Sequence, residues 1–271
     1  MMKINKKDLF IFLFPLILVL IFLLTDAGKF AFDLRNPRLL KMFTSSFVHW
    51  NLNHLIIGNI VPYYIFIVPA WYFSKVTGNE KKLYFSFLSI LILLPFVSKL
   101  MYIYTVSPGF ENTAGFSGTV LGFSALTVIS FLFFLKDTFS FKLNQVDLIA
   151  SFLVFVCLPV FFYDFGSIEI FLWLLLALSS FWMIYRFKKE RLIDKVSSML
   201  KDYDKIASIS KLIVFVGCSI LFFVFYIVFF PAEFVEAEVN VFSHLSGFVG
   251  GFVIGYLIYF SISWKDRFFL N

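Results

Sequence analysis

The run Gly115-Phe-Ser-Gly-Thr-Val-Leu-Gly-Phe-Ser-Ala-Leu-Thr-Val-Ile-Ser-Phe-Leu-Phe-Phe-Leu135 decides the fold class. From Ser117 to Leu135 it carries no charge, and it stops at Lys136 and Asp137. About 20 apolar residues are what an α-helix needs to cross a bilayer, and inside a bilayer a helix satisfies every backbone group internally. The same run opens on a serine between Gly115 and Gly118. Glycines there remove Cβ bulk and allow a tight turn into the helix, whose first N–H groups are unpaired and can point at a developing oxyanion. Gly118 and Gly122 form a Gly-x-x-x-Gly face that lets a second helix approach closely. Taken alone, the segment also fits a packing motif with an idle serine.

The rest of the chain agrees with a lipid solvent. Of 271 residues, 61% are hydrophobic and only 15% charged, so this chain could not cover a water-facing surface. The net charge of +6 does not point to nucleic acid, because the basic residues gather in short stretches between apolar runs instead of forming an aromatic-interleaved stripe. Cys157 and Cys218 sit inside apolar runs as small hydrophobes, and neither a disulfide framework nor a metal site is indicated. The expectation is an all-α polytopic membrane protein, residues 1–271 as a single domain, with no cofactor and no metal.

Eight runs qualify as spans: 8–25, 52–73, 83–106, 117–135, 146–163, 167–186, 210–230 and 243–262. The positive-inside rule orients them. Lys3, Lys6 and Lys7 place the N-terminus in the cytoplasm, as an uncleaved first span. Lys75, Lys81 and Lys82, then Lys136 and Lys142, then the stretch from Arg186 to Lys211, and finally Lys265 and Arg267 mark the other cytoplasmic segments. The opposite connectors, 107–113, 164–166 and 231–240, are poor in basic residues, whereas 26–48 breaks the pattern with Lys29, Arg35, Arg38 and Lys41. Within 187–209, Leu192, Val196, Met199, Tyr203 and Ile206 recur at steps of four and three, as on one face of a cytoplasmic amphipathic helix.

Polar groups in a membrane cost free energy and so call for a reason. The three histidines, His49, His54 and His244, all fall near the external ends of expected spans, at the level of Ser117. In the last span His244, Gly247 and Gly251 are spaced i, i+3, i+7, which puts an imidazole and a glycine groove on one helical face. Two glycine-faced helices pack closely, and closeness is what a Ser–His dyad needs. Parity allows it: the fourth and eighth spans run in the same direction, so Ser117 and His244 start their helices at one membrane face. Leading into the second span, Phe47-Val-His49-Trp-Asn-Leu-Asn53-His54-Leu-Ile-Ile-Gly58-Asn59 offers donors for an oxyanion. His49, Trp50 and Asn51 also fit plain interfacial anchoring.

In this order, the Phe-x-His-x4-His-Leu segment, the Gly-x-Ser-Gly start and the His-x-x-Gly-x-x-x-Gly finish resemble the rhomboid proteases, and the resemblance touches most of the chain. It implies a six-helix core, to which this chain adds a helical hairpin between the serine and histidine helices. It also implies peptide-bond hydrolysis in or beside transmembrane segments of membrane-anchored proteins, through a Ser117–His244 dyad without a third acidic residue. Under it, His54 is an oxyanion donor, and His49, Gly115, Gly118, Gly247 and Gly251 support the site. The family's asparagine four residues after the oxyanion histidine is here Gly58, with Asn59 one position further. A local bulge restores Asn59, or His49 and Asn53 fill the two roles. Where family members often carry an aromatic four residues after the serine, this chain has Leu121, with Phe123 nearby. The partners expected are transmembrane protein substrates and membrane lipids, with no nucleic acid. The active site lies near the external face and both termini are cytoplasmic.

Two other readings compete. A catalytically inactive member of the fold, binding transmembrane helices as an adaptor or chaperone, would keep the glycine packing without needing both Ser117 and His244. A transporter would show interrupted helices in matching halves. Pro62, Pro69 and Pro95 read as interruptions, but matching halves are missing, and Lys99 in the outer part of its span is expected to snorkel.

Overall fold

A computed structural model describes residues 4–105, 112–157, 166–192, 194, 195, 198 and 241–268, with side chains of the last helix described from 244 to 260. Among the described residues the regular structure is helical apart from one two-residue strand pair. In order come α1 (Lys6–Leu24), α2 (Ala27–Phe30), β1 (Phe32–Asp33), α3 (Leu39–Thr44), α4 (Leu52–Val76), α5 (Glu80–Thr105), β2 (Asn112–Thr113), α6 (Ser117–Phe139), α7 (Gln145–Cys157), α8 (Glu169–Lys189) and α9 (Val241–Phe268). Among the described residues five helices, α1, α4, α5, α6 and α8, are long and apolar enough to cross a membrane, consistent with an all-α polytopic membrane protein. Two further expected runs coincide with shorter apolar helices, Gln145–Cys157 and His244–Phe260. The expected run 210–230, the Asp164 break, the 231–240 connector, most of 107–113, Cys218 and most of the amphipathic stretch 187–209 lie outside the described residues.

Helix α6 is the hub. Every residue from Ser117 to Phe139 is buried except Phe131, Lys136, Asp137 and Thr138. It is flanked by α4 and α9, α9 also packs on α5, and α7 pairs with α8 as a hairpin. Lipid tails are as apolar as leucine, so shape complementarity and buried polar contacts must hold such a bundle. Phenylalanine supplies much of the shape. Phe87 and Phe123 stack with centroids 5.1 Å apart, and Tyr63 meets Phe123 edge-on at 5.3 Å. The prolines do not interrupt their helices: α4 runs through Pro62 and Pro69, and α5 through Pro95. Hydroxyl side chains bond backbone carbonyls beside two of these prolines: Thr127 Oγ1 donates to the Phe66 carbonyl near Pro69, and Ser98 Oγ to the Leu94 carbonyl next to Pro95.

Three polar knots tie the end of the bundle remote from Ser117. Asp8 closes a capping box with Asn5 at the start of α1 and accepts from Trp71 Nε1 at 2.8 Å, from Lys75 Nζ at 3.1 Å and from the Tyr84 hydroxyl, joining α1, α4 and α5. Ser74, Ser130 and the buried Tyr259 share their hydroxyls at 2.8–3.3 Å, joining α4, α6 and α9. Asp147, fully buried, takes Arg186 Nε at 2.8 Å and Trp182 Nε1 at 3.0 Å, locking α7 against α8, while Arg186 also donates to the Lys142 carbonyl. A buried carboxylate is tolerable only when paired and hydrogen-bonded in this way. Cys157 is a buried free thiol.

Candidate active site

The tight turn into α6 begins at Gly115, whose φ of +137° lies where side-chain-bearing residues are strained. Its N–H donates to the Ser45 carbonyl at 2.9 Å, anchoring the turn on the loop after α3. A Cβ on Gly115 would stand 2.8 Å from His54 Cε1, so both backbone and space require glycine. Ser117 is the first residue of α6, where the backbone N–H has no intrahelical acceptor.

From α9, His244 presents Nε2 to Ser117 Oγ at 2.7 Å, and both residues are buried. The glycines set this distance. A Cβ on Gly247 would land on the Gly118 carbonyl, one on Gly251 on the Gly122 backbone, and one on Gly255 would stand 2.7 Å from Ile129 Cδ1. The contacts 117–244, 118–247, 122–251 and 130–259 advance together, so α6 and α9 run parallel with their N-termini at one end. That close parallel seam brings an imidazole on one helix to a hydroxyl on another without either backbone bending.

His54 sits in the first turn of α4, half-buried, with its N–H capped by Asn51 Oδ1 at 2.7 Å. Residues Ile56–Ile60 then form a π-helical turn. Its i→i+5 repeat stacks residue 59 over residue 54, which an α-helical turn would not do. Asn59 is fully buried, and its Nδ2 donates to the His54 carbonyl at 2.7 Å. The bulge thus exists, and it puts the Asn59 amide on the backbone of His54. His49 is buried, with its ring edge-on to His54 at 5.5 Å. Among the described residues both His49 ring nitrogens and Asn59 Oδ1 lack a hydrogen bond of good geometry, although Asn59 and the Phe47 backbone lie near enough to His49 to favour its charged form slightly. Burial chiefly, with the neighbouring His54 and Lys99 adding to it, pushes the His49 imidazole down to about 3, so it stays neutral through the physiological range. Asn53 is exposed and outside this cluster, so the alternative pair His49 and Asn53 does not assemble.

Phe123 packs on Tyr63, Phe87 and Phe116, and Leu121 is buried beside it in the core. Lys99 departs from expectation. Instead of snorkelling, it is 4% exposed, and its Nζ lies 3.5 Å from Thr113 Oγ1, just before the Gly115 turn. It is near enough for His49 and His244 both to feel its charge. Sequence reading missed this residue, since a lysine near a span end can either bury or reach for water. Among the described residues no group of three or more His, Cys, Asp or Glu side chains could hold a metal ion.

The arrangement can do acyl-transfer chemistry. A hydroxyl is hydrogen-bonded to a base, and a helix N-terminus and an imidazole lie alongside as donors. Comparison of the chain with family models, curated proteins and solved structures finds no match.

Proposed function

We propose that the chain is a rhomboid-type intramembrane serine endopeptidase that hydrolyses peptide bonds in or next to transmembrane segments of membrane-anchored proteins. The observation that carries this reading is the 2.7 Å contact between Ser117 Oγ and His244 Nε2 across the glycine seam of α6 and α9. His244 Nε2 takes the Ser117 proton as Oγ attacks the scissile carbonyl, then returns it to the leaving amine. The Ser117 N–H and the His54 imidazole stabilise the oxyanion, and Asn59 holds His54 through its backbone. Water then attacks the acyl-enzyme, with His244 again as base. Helical substrates keep their carbonyls hydrogen-bonded, so they unwind locally before attack.

The wider reading adds a rhomboid-like six-helix core with an inserted hairpin, which α7 and α8 begin, about eight spans, cytoplasmic termini and a site near the external face. Lys75, Lys82, Lys136, Lys142, Arg186, Lys188 and Lys189 all cluster at the end remote from Ser117, which supports that orientation. A fluorophosphonate probe tests the dyad directly. The expected outcome is a single adduct mapped to Ser117 by mass spectrometry, reduced at least about 10³-fold in rate by His244→Ala. Failure to label Ser117 in folded protein moves the reading to a helix-binding adaptor of the same fold.

A further inference from the structure

We propose that Lys99 binds a carboxylate side chain of the substrate close to the scissile bond, making the site selective for an acidic residue there. The inference rests on the protease reading above. An ammonium buried in an apolar interior is costly, so such a lysine either sheds its proton or takes an anion that holds it charged. Lys99 is 4% exposed, and its observed partner is Thr113 Oγ1 at a long 3.5 Å, which engages one of three donors weakly. Among the described residues no carboxylate pairs with it. Two cations elsewhere in the bundle do have acids: Lys75 has Asp8 and Glu80, and the buried Arg186 has Asp147 and Glu190.

The surroundings of Lys99 point the same way. Among the described residues, His49 from the loop before α4 and His244 from α9 feel the Lys99 charge, with His54 of α4 beside both, and the nearest acid in the strand pair, Asp33, sits opposite Asn112 and forms no ion pair with Lys99. Thr113 leads by two residues into Gly115, which backs His54, so Lys99 stands beside the turn that delivers Ser117. The missing anion is supplied when the substrate enters. The oxyanion itself already has the Ser117 N–H and His54, which leaves the Lys99 ammonium for a side chain.

The test uses the purified full chain in liposomes with paired single-span substrates carrying Asp or Asn at each position within four residues of the cleaved bond. Wild type is expected to cleave the Asp member at least about tenfold faster at one or more positions. Lys99→Met brings that ratio close to one, and Lys99→Arg keeps much of it. Reading the ratio within each variant cancels any loss of folded protein. A wild-type ratio near one everywhere, a preference that survives in Lys99→Met, or an equal loss on both substrates overturns the proposal and leaves the Ser117 chemistry standing. Absence of any Ser117-dependent cleavage removes the protease reading, and the Lys99 assignment with it.

Discussion

Ser117 and His244 lie 127 positions apart, yet their pairing is legible in the sequence because glycine spacing on two helices prescribes how near the backbones come. Gly115 is legible only in part: a glycine before the serine signals a turn, but its contact with the His54 ring is tertiary. Gly115→Ala adds a Cβ 2.8 Å from His54 Cε1 at a φ of +137°, so the imidazole must move. If His54 is an oxyanion donor, cleavage rates for Gly115→Ala and His54→Ala both fall by about 10²–10³, measured as kcat with a model substrate. His49 makes a separate prediction. Its folded-state value of about 3 lies below the ordinary 6.5, so the unfolded chain binds a proton that the folded one refuses. This contribution to stability is therefore complete above pH 6.5 and is lost as pH falls from there towards 3. Thermal unfolding in detergent across that window is expected to show a slope that His49→Leu reduces by up to about 1.4 kcal/mol per pH unit.

At the scale of elements, the seam between α6 and α9 has no slack where glycine meets glycine and some where glycine meets a side chain. Gly247→Val drives a side chain into the Gly118 carbonyl, which cannot yield without separating the helices. Gly250→Ala meets Leu94 Cδ2 at 2.6 Å, the far end of a flexible side chain. Gly247→Val is thus expected to abolish fluorophosphonate labelling of Ser117, while Gly250→Ala keeps most of it. Equal behaviour of the two would contradict a dyad set by the glycine seam. The π-helical turn Ile56–Ile60 is a different case. The sequence raises the question, since Gly58 stands where an asparagine was expected, but not the answer. One extra residue in a turn is settled by what α4 packs against, as is the burial of Lys99 rather than its escape to the surface. The Asp147–Arg186 lock is hidden for a similar reason: the partners are 39 residues apart, on helices whose pairing the hydrophobic pattern does not specify.

For the molecule as a whole, the class was legible because composition alone excludes a water-facing surface, and hydropathy marks runs of spanning length. Burial grades those runs in a way hydropathy cannot. Helix α1 is more apolar than the hub and α8 somewhat less so, yet both leave most of their surface open, whereas α6 is enclosed along nearly its full length. The hub is also the helix that carries Ser117, so the best-packed element holds the candidate nucleophile and its neighbours deliver the histidines. Asp8, Tyr259 and Asp147 fasten the opposite end, leaving the dyad end bordered by the loop that carries His49 and by the Gly115 turn. Under the proposed function Ser117, activated by His244, cuts peptide bonds of membrane-anchored substrates. The most direct measurement is cleavage of a single-span model protein by purified chain in liposomes, comparing wild type with Ser117→Ala and His244→Ala. One product pair is expected with wild type, and a loss of at least about 10³-fold in either variant. Cleavage that persists unchanged in both variants would contradict it.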